Sequence, residues 1–201
     1  MNQLSSKFSK KSYTSLVNIP SIGIDLSQIN LNGADLSGID LSCFNLSGAN
    51  LSETNLSNTN LSNVDLSGAN LYRANLSNAD LRGANLTDIN LIEADLSSVD
   101  LSNAYLIRAN LSGCYLIEAR LIAANLTEAN MRGAYLINSC LDRAQLTHTN
   151  FIDTYVSDID FRNVNLKHAI FATDRRVSQI FQSNLTNREK IAKQVASLKI
   201  A

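Results

Sequence analysis

A bulky apolar residue recurs at every fifth position from Leu26 to Phe171 without a slip, and nothing else in the chain constrains its fold as tightly. Thirty positions belong to the series, 25 of them Leu and the rest Met, Phe or Val. Taking that residue as the centre of a unit, the residue two before it is Ala in 15 of the 30 units. The residue one before it is Asn or Asp in 22 of the 30. Ser, Thr or another polar residue follows the centre, then often Gly, Asn or Glu, so the unit reads A-(D/N)-L-S-x. A period of five fits neither the 3.6 of a helix nor the 2 of a strand. Within one unit, however, the small residue and the Leu are two apart and share a face of an extended segment, with the Asn or Asp pointing outward. Five is odd, so the chain must turn a corner before the next Leu faces inward, and Ser followed by Gly, Asn or Asp supplies turn chemistry. Such segments and corners close into coils that stack about 4.8 Å apart.

The tandem units over 24–173 resemble the pentapeptide repeat proteins, across about 150 of the 201 residues. The resemblance implies a right-handed quadrilateral β-helix, an all-β solenoid in which four units make one coil and residues 20 apart stack. Thirty units then make about seven and a half coils, a rod roughly 36 Å long. The residues independently favour four sides. At a spacing of 20, Asn30, Asn50, Asn70, Asn90, Asn110, Asn130 and Asn150 form one unbroken column, expected to be a structural amide ladder. Tyr115, Tyr135 and Tyr155 form another, which a three-sided coil would split.

Three segments follow: an irregular N-terminal cap or extension over residues 1–23, the repeat β-helix over 24–173, and a helical cap over 174–201. Thr186 with Glu189 makes a capping box, and Ile191, Val195 and Leu198 recur at helical spacing, predicting a short helix over 187–199. Its expected use is to cover the last coil, near Phe151, Phe161 and Phe171, or to join two copies. The chain is thus expected to be a monomer or a homodimer through its C-terminal end.

The net charge of −1 conceals an asymmetry: residues 24–173 hold 16 acids against 8 bases, and the tails nine bases against two acids. Within the rod, residues 24–100 hold 10 acids and only Arg73 and Arg82. Three irregularly spaced cysteines argue against a disulfide framework and for a reducing, cytoplasmic setting. Cys114 occupies an inward, alanine-type position. No run approaches the ~18 apolar residues of a membrane span, and the first 20 residues, Ser- and Lys-rich without an acid, leave a targeting segment open.

In a solenoid, function must be sought in the outward columns. Glu53, Arg73 and Glu93 alternate in sign up one corner, Arg108 and Glu128 up another, and Asp142 stacks under Arg162; these read as solvated register pairs. His148 and His168 stand above Glu128 but lack an evident third metal ligand. Between Tyr105 and Tyr155 the outward Asp or Asn becomes Tyr and the following Ser becomes Ile. Tyr115, Ile117, Tyr135, Ile137 and Tyr155 then share one wall with Ile122 just round the corner, and Tyr105 and Ile107 lie opposite. Clustered surface aromatics and aliphatics mark interfaces, although tyrosine stacking can also serve only the coil.

No catalytic constellation, glycine-rich phosphate loop or paired zinc-type cysteines occurs in the sequence, so a non-enzymatic protein without cofactor or metal is expected. The first functional reading is an interaction or scaffold protein that binds a protein partner through the Tyr/Ile wall. The alternative rests on the resemblance: some relatives imitate the DNA duplex and modulate DNA gyrase, conferring fluoroquinolone resistance. Here the acidic first half favours that reading, and the neutral second half and basic tails oppose it. Direct nucleic-acid binding by the tails is opposed by the rod's own charge.

Overall fold

The computed structural model describes residues 24–171 except Cys43, Asp160 and Arg162. The expected N-terminal cap, C-terminal helix and total coil count therefore lie outside the described residues. Residues 20 apart pair as parallel bridges on four walls, as in Asn30↔Asn50, Asp35↔Asn55, Asp40↔Asn60 and Asn45↔Asp65, and the pattern continues to Asn150↔Ile170. A coil of four five-residue units follows, and spacing 15 is excluded. Most walls are single bridges, but four short strands occur. β1 (Ile24–Asp25) pairs with β2 (Phe44–Asn45), and β3 (Tyr135–Ile137) pairs with β4 (Tyr155–Ser157) in the register Tyr135↔Tyr155. No helix among the described residues is long and apolar enough to cross a membrane.

The interior is a stack of the repeated centres, with Leu36, Leu51, Leu96 and Leu111 fully buried. The small residue two before each centre is buried beside it, for example Ala49, Ala84 and Ala129. Phe151 and Phe161 replace Leu towards the C-terminal end, and Phe151 stacks on Phe171 with centroids 5.4 Å apart. Where the small residue is polar, it bonds a centre's carbonyl. Thr59 donates to Leu56 O at 2.6 Å, and Cys114, Ser139 and Thr149 donate to Leu91, Leu116 and Leu126 in the coil below at 2.6–2.7 Å. Burial of these groups is tolerated because each has an acceptor.

The unit around Leu91 accounts for every backbone donor. Asn90 N–H bonds Ala69 O of the preceding coil, and Leu91 and Glu93 N–H bond Asn110 O and Ser112 O of the following coil, at 2.8–3.0 Å. Ala94 N–H closes the turn on Leu91 O at 3.0 Å. The fifth donor, Ile92 N–H, has no backbone acceptor and bonds the side-chain Oδ1 of Asn90 at 3.2 Å. The residue before the centre is thus the turn acceptor, a role the spacing alone did not assign to it.

The turn joins the centre's C=O to the N–H three residues on and places the third residue at positive φ, which makes it a type II turn. All 27 described residues at that corner position from Gln28 to Asn163 have positive φ, and 20 of them are not glycine. Glycine relieves that strain at seven of the corners, Gly48 (φ +64°) among them.

Asn90→Ala removes both the turn acceptor and the ladder bond from Asn90 Nδ2 to Asn70 Oδ1 (2.9 Å). It should cost about 1–2 kcal/mol in urea unfolding. Asn90→Asp keeps the acceptor and should cost less, whereas Leu91→Ala should cost about 2–5 kcal/mol. Equal losses for Asn90→Ala and Asn90→Asp would remove the turn acceptor's role.

Candidate functional site

The surface is governed by that one side-chain acceptor. From Ser27 to Ser102 the N–H after every centre, 16 in succession, bonds the Oδ1 of the Asn or Asp two residues earlier. The same groups form ladders between coils. In the asparagine column Asn50 donates to Asn30, Asn70 to Asn50, Asn90 to Asn70, Asn130 to Asn110 and Asn150 to Asn130, at 2.9–3.4 Å.

The choice between Asp and Asn follows the same logic. Asn45, Asn55 and Asn85 amides donate to Asp25, Asp35 and Asp65 one coil below, at 3.0–3.2 Å. Asp80 and Asp100 do stack directly, and there Arg82 pairs with Asp80 and Arg120 with Asp100. Asp25 is held below the usual carboxylate range by the hydrogen bonds of Ser27, and Asp35 by those of Ser37. Asp40 is lowered mainly by the Ser42 backbone N–H, and Asp80 mainly by the Arg82 guanidinium. Much of the acidity before Asp100 is therefore turn and ladder chemistry, distributed over three walls.

Charged corner pairs partly depart from expectation. Arg73 bonds Glu93 at 2.7 Å and lies 4.9 Å over the Tyr72 ring. Arg108 turns to Asp88 in the coil below, at 2.6 Å, in place of the expected Glu128: the Asp88 carboxylate meets the guanidinium with both oxygens. Asp142 accepts from Asn163 at 2.9 Å and approaches Arg143 at 3.6 Å; its expected partner Arg162 lies outside the described residues. His148 and His168 rings meet edge to face at 5.7 Å, and no group of three or more metal-ligating side chains occurs among the described residues. Cys114 is buried, and desolvation pushes its thiol up to about 12, which suits a core residue and not a nucleophile.

The second half breaks the pattern. Tyr105, Tyr115, Arg120, Tyr135, Cys140, Gln145 and Tyr155 stand where an Asn or Asp turn acceptor would be. The N–H groups of Ile107, Ile117 and Ile122 consequently have no acceptor among the described residues. At Tyr135 and Tyr155 the chain instead runs straight for three residues as β3 and β4. Tyr115, Tyr135 and Tyr155 stack with centroids 5.1 and 4.7 Å apart and planes within 11° of parallel. Rings stacked this closely turn their faces to one another and present edges and hydroxyls outward. Tyr115 (44%) and Tyr155 (55%) are exposed, whereas Tyr135, between them, is half-buried. Ile117, Ile122 and Ile137 are half-buried, so the aromatic column is the prominent feature. Tyr105 is exposed on the opposite wall.

A family model described as pentapeptide repeats matches in 8 copies, across residues 22–48, 45–83, 74–113, 104–142, 114–151 and 139–172. Among solved structures, HetL, a pentapeptide repeat protein involved in heterocyst differentiation regulation from the cyanobacterium Nostoc sp. strain PCC 7120, is 29% identical. That match covers 76% of this chain and 80% of HetL, with a TM-score of 0.46. QnrB1, a plasmid-mediated fluoroquinolone resistance protein, is 22% identical over 82% of this chain and 90% of its own, with a TM-score of 0.51. That likeness concerns the fold alone. A pentapeptide repeat protein of the Arabidopsis thaliana thylakoid lumen is 30% identical over 64% of this chain and 72% of its own, with a TM-score of 0.30. No curated protein sequence matches the chain significantly.

A carboxyl whose folded pKa is depressed contributes stability above its unfolded pKa and loses it as pH falls through the folded value. For Asp35 and Asp40 that window begins near 3.8 and extends downward. Asp35→Asn with Asp40→Asn keeps both turn acceptors and removes the titration, so the acid limb of a stability-versus-pH curve should become shallower. An unchanged limb would contradict the assignment.

Proposed function

This chain belongs to the pentapeptide repeat family, whose members fold as right-handed quadrilateral β-helices, and from that premise we propose that it is a non-enzymatic interaction protein whose Tyr/Ile wall binds a protein partner. Family members are generally structural or interaction proteins. The observation that carries the reading is the Tyr115–Tyr135–Tyr155 stack at 4.7–5.1 Å, with two of its rings exposed. Solvated walls of the same rod need no such residues: before Asp100 the equivalent positions are Asn and Asp, which close the turn and bond the next coil. Replacing them with tyrosine removes the turn acceptor and leaves an aromatic strip at the surface. Tyr and Ile supply buried contact area at an interface at small cost in conformational entropy.

Imitation of the DNA duplex at gyrase has less behind it. Such imitation needs dense and continuous exposed negative charge. Here Asp25, Asp35 and Asp65 accept from asparagines in the next coil, and Asp80, Asp88, Glu93 and Asp100 pair with arginines.

Two outcomes are expected. In affinity capture from the native cell, the full chain should retain a partner that the Tyr135→Ser/Ile137→Ser double variant, folded by circular dichroism, does not; equal recovery would remove the proposal. In a supercoiling assay, micromolar purified chain should leave DNA gyrase activity unchanged, and inhibition or protection would put the gyrase reading in its place.

A further inference from the structure

Resting on the interaction reading above, the partner's chemistry can be narrowed from what surrounds the tyrosine stack. Asp95 stands directly below Tyr115 in the same column. Glu118 and Asp158 stand on the corner between the Tyr wall and the Ile122 wall, two coils apart, about 10 Å. None of these three carboxylates is in a salt bridge among the described residues, although six other acids of the rod are. Among the described residues Asp95 accepts only the Ser97 N–H, Asp158 the Ser157 hydroxyl, and Glu118 the Ser98 hydroxyl at 3.5 Å. The aromatic strip is thus rimmed by unneutralised negative charge within a Debye length of its rings.

On the other side of the strip, Asp153 is paired with Arg132 at 3.1 Å, and the coils below it carry small residues. The corner preceding the Tyr wall carries Gly113 and Gly133, and a Cβ at Gly133 would meet nothing within 4 Å. The N–H groups of Ile117 and Ile122, on either side of the Glu118 corner, lack an acceptor among the described residues because Tyr115 and Arg120 replaced the side chains that elsewhere supply one. The surface therefore offers apolar area, backbone donors and carboxylates together. A ligand that satisfies all three must bring apolar side chains, carbonyl acceptors and positive charge. An acidic or phosphorylated segment would satisfy the donors but be repelled by Glu118 and Asp158.

We propose that the Tyr115–Tyr155 wall and its Glu118 corner receive an extended segment of a partner protein that carries apolar side chains flanked by Lys or Arg. Its backbone carbonyls accept from Ile117 and Ile122 N–H, standing in for the missing turn acceptors. Its cations meet Glu118 and Asp158.

The test is selection of a displayed library of random 12-residue peptides on the immobilised full chain, followed by affinity measurement of the enriched peptides as synthetic probes. Enriched sequences should combine Leu, Ile or aromatic residues with Lys or Arg and should bind more weakly as salt rises. Tyr135→Ser should abolish their binding. Glu118→Gln, which keeps the shape of the corner, should weaken it about two- to fivefold. Binding should also slow amide exchange at Ile117 and Ile122. Neutral or acidic enriched peptides that still need Tyr135 would overturn the cationic specificity and leave the interaction reading standing. Peptides indifferent to Tyr135→Ser, or no enrichment at all, would count against both. A dimer that Tyr135→Ser dissociates in sedimentation equilibrium would assign the wall to a second copy of this chain and overturn the proposal.

Discussion

One backbone N–H per five residues decides how this chain is written. Stacking coils satisfies three of the five donors of each unit and the turn satisfies a fourth, but the N–H after each centre points where no carbonyl lies. An unsatisfied backbone donor costs about 1–3 kcal/mol when water is kept from it. The Asn or Asp before the centre supplies the missing acceptor and, where it is Asn, a donor to the coil below. Leu and Ala fill the interior, but this side chain closes the corner and links coil to coil.

Much of that was legible in the sequence. An odd period with inward residues two apart required extended segments and corners, and the asparagine and tyrosine columns at spacing 20 selected four sides over three. The turn acceptor was not legible as such. Periodicity places the Asn or Asp outward without saying which donor its oxygen meets, and that depends on the corner's φ, positive at all 27 described positions from Gln28 to Asn163 whether the residue is Gly, Asn, Glu or Arg. Arg108 departs from its column for a related reason: a column tells which residues are stacked, but not whether a flexible side chain reaches up or down, and this one reaches down to Asp88.

The candidate surface was legible as a change of letters between Tyr105 and Tyr155, but its physical content came from geometry. Tyrosine at the acceptor position does two things at once. At Tyr115 it stacks at the coil repeat, which stabilises the rod, and at Tyr105 and Tyr115 it leaves the following N–H of Ile107 and Ile117 without an acceptor among the described residues. Around the same rings stand the carboxylates of Asp95, Glu118 and Asp158, none of them in a salt bridge among the described residues. A stabilising column and a binding strip are compatible roles for the same rings.

Residue-resolved amide hydrogen exchange on the free protein tests the central claim most directly, because exchange reports whether each N–H is bonded. The N–H groups of Tyr72, Ile92 and Ser112, each bonded to an asparagine Oδ1, should be protected. Those of Ile107, Ile117 and Ile122, in the same position of their units, should exchange markedly faster. Equal protection in the two sets would contradict the account, since the side-chain acceptor would then not be what holds the turn.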